Sequence, residues 1–206
     1  MEIQSDLKVT IRVNGVAVSA PVQAADSLLD FLRNQARATD VKCGCNQGDC
    51  GTCTVIYDGK AIKSCLVLAA QADGKEVRSL KGLMDDPLMQ SLQNAFLECG
   101  AVQCGFCTPG MLMASWSLLQ DNPNPTREEM RQGISGNLCR CTGYKKILDA
   151  ISLAAAQLLT EHAAAGHQAG QALGRSITPG RESYQASDRL DGQARAKAEY
   201  LLLGGG

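Results

Sequence analysis

Cys45, Cys50 and Cys53 stand in the order C-x4-C-x2-C, and Cys65 follows at the far end of a short apolar segment. Four thiolates at that spacing suit a core of two irons and two sulfides. The spacing has a mechanical reason. A loop must fold over a compact inorganic core and aim several sulfurs inward, and a return strand must then bring in the last ligand. Gly44, Gly48 and Gly51 are interleaved with these cysteines. Glycine is expected there because the backbone needs φ > 0 or must come close enough for N–H groups to point at sulfur. Zinc sites prefer paired C-x2-C knuckles, whereas this run has one short pair and one long arm. It reads as a [2Fe-2S] site.

A second set of thiols lies further along. Cys104-Gly-Phe-Cys107 precedes one expected helix and Cys139-Arg-Cys141 precedes another. Free N–H groups and the positive dipole end at a helix start favour an anionic group, and a thiolate-ligated cluster is anionic. On spacing alone, four thiolates suit a structural zinc and a second cluster equally. The first site tips the reading toward iron, because two clusters in adjacent domains make an electron path.

The remaining reactive side chains have plainer readings. Cys43 lies outside the spacing rule and is expected to be a small, partly buried residue. Cys99 falls on the apolar stripe of its helix and reads as core. Phe106 and Trp116 read as packing, with Phe106 also placed to shield a cluster from water. Lys42 and Arg140 flank ligands and either offset cluster charge or face solvent. His162 and His167 have no partners at metal spacing. No Ser-His-Asp set, acid/base carboxylate pair or phosphate loop is present, so no catalytic residue is assigned.

The elements that must position these sulfurs fall into two groups. Leu7, Val9, Ile11 and Val13 alternate with polar residues, Asn14-Gly15 signals a type I′ turn, and Val16, Val18, Ala20 and Val22 alternate again. Asp26 or Ser27 caps a short helix carrying Leu28, Leu29, Phe31 and Leu32. Thr54–Tyr57 and Ala61–Cys65 form a second hairpin across Asp58-Gly59, and Glu76–Leu80 adds a last strand. That pattern predicts a β-grasp domain over residues 1–83. The period then becomes helical. Asp85 or Asp86 caps a helix opened by Pro87, Thr108-Pro109 opens a second, and Thr126-x-x-Glu129 is a capping box for a third. A fourth starts at Tyr144. A four-helix bundle over residues 84–160 follows, giving an α+β chain. From Glu161 the composition turns Ala-, Gly- and Gln-rich, and 161–206 reads as a poorly packed tail or linker, with a short apolar piece at Tyr200–Leu203.

Composition excludes several classes. Lys+Arg 20 against Asp+Glu 21 leaves a net charge of -1, so nothing asks for nucleic acid or an anionic membrane. No apolar run approaches the roughly 18 residues of a membrane helix. Ten cysteines without a secretory leader at Met1–Thr10 point to thiolates bound to metal in a reducing cytoplasm.

Taken together, G-C-N-Q-G-D-C-G-T-C, Q-C-G-F-C-T-P-G-M and N-L-C-R-C-T-G-Y resemble the iron–sulfur subunit or domain of the molybdenum hydroxylases. The resemblance runs from about Leu7 to Leu159. It implies a plant-type ferredoxin domain followed by a helical [2Fe-2S] domain. Cys45, Cys50, Cys53 and Cys65 would hold the cluster nearer a flavin; Cys104, Cys107, Cys139 and Cys141 would hold the one nearer molybdenum. Gln103 and Cys139 would lie against the pterin of a molybdopterin-type cofactor on a large partner subunit, with FAD on a further subunit. The segment 187–200 resembles the connector into a molybdenum-binding portion. The implied role is electron transfer from the molybdopterin site to FAD or another acceptor. Two alternatives remain: a free-standing two-cluster carrier, and one cluster with a structural zinc in the bundle.

Overall fold

The structure is a computed structural model that describes residues 7–169, with side chains to residue 160. β1 (Leu7–Val13) and β2 (Val16–Val22) pair antiparallel in full register, Leu7 opposite Val22 and Val13 opposite Val16. Asn14 and Gly15 both take positive φ, which is what a type I′ turn demands. β3 (Thr54–Tyr57) and β4 (Lys60–Lys63) form the second hairpin across Asp58 and Gly59, again both left-handed.

β5 (Glu76–Arg78) joins the hairpins. It lies parallel to β1 and antiparallel to β3, giving the order β2-β1-β5-β3-β4. The expected strand to Leu80 is shorter, because Leu80–Leu83 turns into a 3-10 segment whose Leu80 and Leu83 are buried. α1 (Leu28–Asp30) is capped by the Ser27 hydroxyl and continues as a π-helical turn, Phe31–Gln35. It packs its apolar side on the sheet with Val9, Ile11, Val55 and Val77.

The helical lobe comprises α2 (Pro87–Glu98), α3 (Thr108–Asp121), α4 (Arg127–Gly133) and α5 (Lys145–Ala169). Asp86 caps α2 through Met89 N–H, and the same oxygen accepts the Trp116 indole N–H at 2.9 Å. One carboxylate thus ties the start of α2 to α3. Thr126 and Glu129 close the expected capping box on α4.

α5 corrects the sequence reading at residue 160. It continues to Ala169, since a run rich in alanine keeps helix propensity even where it lacks an apolar stripe. The rest of the 161–206 reading, including Tyr200–Leu203, lies outside the described residues.

Two cores meet at β3. Val55 belongs to the sheet core, and Ile56 points the other way into the helical core among Leu92, Met111 and Leu112. A strand buried on both faces cannot alternate apolar with polar residues. Thr54-Val55-Ile56 does not, and α3 lies against it. The two lobes therefore share a wall.

Candidate metal centres

The first site is the loop between α1 and β3. Cys45 Sγ accepts N–H bonds from Gln47 at 3.5 Å, and from Asp49 and Cys50 at 3.3 Å. Cys50 Sγ in turn accepts the Cys45 N–H at 3.3 Å. The loop is thus already wound so that amides face sulfur. Gly48 and Gly51 supply positive φ, as does Asn46. Gly44 has no such angle; it is there for space. A Cβ on Gly44 would stand 2.8 Å from Cys50 Sγ and 2.9 Å from Thr52 Oγ1.

Cys65 corrects a detail of the sequence reading. It lies beyond the end of β4, in a 3-10 turn from Ser64 to Leu66, held by Ser64 bonding the Cys53 carbonyl through N–H and hydroxyl. The turn brings Cys65 beside Cys53. Cys43 is exposed rather than partly buried.

The second site joins two loops far apart in sequence. Cys104 and Cys141 bring their sulfurs to 3.6 Å. Two thiolates on one tetrahedral metal, with bonds of about 2.3 Å, stand about 3.8 Å apart. Cys107 and Cys139 are near enough for each thiol to shift the acidity of the other. Four thiolates round one point are what a structural zinc requires; paired thiols suit a two-iron core.

α3 starts directly after Cys107, as expected. α5 does not start directly after Cys141. Thr142, Gly143 and Tyr144 intervene, the last two with positive φ. In this turn the Thr142 hydroxyl donates to Cys139 Sγ at 3.1 Å, and the Cys139 N–H donates to the Tyr144 phenol oxygen at 3.0 Å. From the sequence Tyr144 reads only as the start of the fourth helix and Thr142 has no role assigned; the helix starts one residue later, at Lys145. A hydroxyl three positions past Cys139 is the available signal.

The acidities fit a charged core. Gln47 and Cys50 N–H groups bring the Cys45 thiol down to about 6. Burial, then the neighbouring Cys53 sulfur, pushes Cys65 up to about 12. Burial and Cys139 push Cys107 up to about 12 as well. Burial works against ionising Cys139 too, but bonds led by the Thr142 hydroxyl outweigh it and hold that thiol below its ordinary range. In each set some thiols ionise readily, while others resist because they are buried and because their neighbours would be anions. All four can be thiolates together only when a cationic core balances them. The donor sets fit [2Fe-2S] clusters.

The two sites are bonded to each other. The Cys50 carbonyl accepts the Leu138 N–H at 2.8 Å. Buried Asn137 donates to the Gly51 carbonyl at 2.8 Å and to Thr54 Oγ1 at 3.2 Å. Lys63 donates its ammonium to the Gly48 carbonyl at 2.6 Å and lies against Gly136. Gly110 lets α3 press onto the Gly51–Thr52 backbone. Phe106 is about half exposed, with its ring beside Gly44. Gln103 and Cys104 are exposed at the same end.

Comparison with known proteins agrees with this layout. A "2Fe-2S iron-sulfur cluster binding domain" model matches residues 11–80, and a "[2Fe-2S] binding domain" model matches 79–152. The nicotine 6-hydroxylase small subunit of Paenarthrobacter nicotinovorans is 47% identical over 152 residues, which cover 74% of this chain and 92% of the relative. The xanthine dehydrogenase iron-sulfur-binding subunit of Escherichia coli O157:H7 is 42% identical over 153 residues, covering 73% and 96%. The crystal structure of quinoline 2-oxidoreductase from Pseudomonas putida 86 superposes with a TM-score of 0.70 at 42% identity, covering 77% of this chain and 98% of that one.

Proposed function

Because the chain belongs to the iron–sulfur subunits of the molybdenum hydroxylases, we propose that its eight paired cysteines are the ligands of two clusters set in series between two partner subunits. It is the electron-transfer component of an oxidoreductase and carries two [2Fe-2S]-binding domains. The second of these replaces the zinc alternative.

Cys45, Cys50, Cys53 and Cys65 would hold the first cluster, and Cys104, Cys107, Cys139 and Cys141 the second. Each cluster, when bound, takes up and releases one electron. The chain's own part is to hold the two sulfur sets together, to aim N–H and O–H groups at them, and to bury Gly51, Thr52 and Asn137 where the two loops join.

The helical lobe would face a large molybdenum-binding subunit, with exposed Gln103 and the Cys139 loop toward its pterin. The β-grasp lobe would face an FAD-binding subunit or another acceptor. The segment past Ala169 would be a connector along the large partner. Among the described residues no helix is long and apolar enough to cross a membrane, and the proposed location is cytoplasmic.

The observation that carries this reading is the Cys50–Leu138 bond, which links a residue of the first sulfur set to the neighbour of Cys139 in the second. Affinity purification of the chain expressed with its neighbouring genes tests it. Co-elution with a much larger molybdenum-containing chain is expected. A stable monomer that reduces unrelated acceptors would instead make it a free-standing carrier.

A further inference from the structure

We propose that Thr142 is a positioning residue that raises the reduction potential of the second cluster by donating its hydroxyl hydrogen to Cys139 Sγ. This rests on the assignment of Cys139 as a ligand.

The geometry leaves the hydroxyl one direction. Thr142 Oγ1 lies 3.1 Å from the sulfur and accepts the Tyr144 N–H at 3.2 Å. That N–H occupies a lone pair, so the single hydroxyl hydrogen is free for the sulfur. A metal-bound thiolate has no proton and can only accept.

Tyr144 closes the ring from the other side. Its phenol oxygen accepts the Cys139 N–H at 3.0 Å, while its own backbone is held at φ +67. A bulky residue in the left-handed region stores strain, which persists where surrounding bonds over-determine it and often marks a functional site. Here the strained turn buys one thing the α-helix start alone would not supply, a hydroxyl aimed at a ligand sulfur. No described cysteine of the second set besides Cys139 has such a side-chain hydroxyl bond among the hydrogen bonds of the structure.

The redox consequence follows from charge. The reduced cluster carries one more negative charge than the oxidised one, so a donor on its sulfur stabilises the reduced form more and the potential rises. Cys139 is also the ligand whose backbone follows Leu138, the residue bonded to Cys50. The Thr142 hydroxyl itself bonds Cys139 Sγ and the Tyr144 N–H and no sulfur of the first set, so it acts on the second cluster and alters the balance of an electron between the two sites.

The test is an EPR-monitored redox titration of the purified complex carrying T142V, T142A or T142S, with iron content measured alongside. In T142V the midpoint of the second cluster should fall by the equivalent of a three- to tenfold change in the one-electron equilibrium, tenfold being about 59 mV. The first cluster's midpoint should not move, and T142S should restore the second. If T142V loses the second cluster, T142A against T142S decides, because neither adds a methyl group toward the sulfur. A lowered midpoint in T142A with a normal one in T142S supports the proposal. Unchanged midpoints at full iron content in the variants lacking the hydroxyl overturn it. A wild-type complex with only one reducible cluster would instead refute the ligand assignment beneath it.

Discussion

The carbonyl oxygen of Cys50 accepts the backbone N–H of Leu138 at 2.8 Å. One partner belongs to the first sulfur set, and the other immediately precedes a cysteine of the second. The lobes are therefore joined at the sites themselves, and damage at this junction should be felt as both lost stability and disturbed clusters.

Asn137 tests the junction from the side chain. Its amide is buried and bonds the Gly51 carbonyl and Thr54 Oγ1 across the lobes. Asn137→Ala should cost about 1–3 kcal/mol, the usual penalty for breaking buried hydrogen bonds. Denaturant unfolding of the loaded protein measures it. A loss confined to a few tenths would show that the amide is not a link between lobes.

Gly110 tests it by volume. A Cβ there would stand 3.0 Å from Thr52 Cα and against the Gly51 carbonyl, both backbone and unable to swing away. Gly110→Ala should destabilise by about 1–3 kcal/mol through overpacking, despite alanine's better helix propensity. A gain in melting temperature would contradict the close approach.

Cys43 and Cys45 are two residues apart and should behave oppositely. Cys45 collects three backbone N–H bonds on its sulfur, while Cys43 is exposed. Cys43→Ser should keep full iron, and Cys45→Ser should lose the first cluster's visible absorption. Iron loss in the Cys43 variant alone would reverse the ligand assignment.

Asp149 supplies a pH dependence remote from the sulfurs. Burial pushes its pKa up, but bonds from Lys145 at 3.0 Å and Arg127 at 2.9 Å outweigh it and hold the carboxyl below its ordinary range. A depressed folded value means the stability is present above the unfolded pKa of about 3.9. It is lost as pH falls through the folded value. Asp149→Asn should therefore cost about 0.5–1 kcal/mol at neutral pH, with the difference from wild type vanishing in strong acid. A deficit that persisted in acid would assign the loss to packing instead.

Much of this was legible from local chemistry. Asn14-Gly15 and Asp58-Gly59 can hardly be other than left-handed hairpin turns, and the cysteine spacings mark both sites. What stayed hidden depended on distance or on the turn's detailed path. β5 is three residues long and earns its central place only by pairing with β1 and β3. Asn137 meets Gly51 from 86 residues away, with no periodicity to announce it. The sequence extends the second hairpin strand to Cys65 at the end of a short apolar segment, yet Ser64 turns the chain by bonding back to Cys53. Tyr144 reads as the start of a helix, and neither the left-handed backbone at Tyr144 nor the Thr142 hydroxyl on Cys139 Sγ is visible in residue types alone.

The central claim is that eight sulfurs, in two bonded lobes, hold two separate one-electron centres. EPR spectroscopy of the fully reduced complex, with iron counted on the same sample, tests it most directly. Two iron atoms for each [2Fe-2S] domain predict four per chain and two distinguishable paramagnetic species. Two iron atoms per chain and a single species would contradict it.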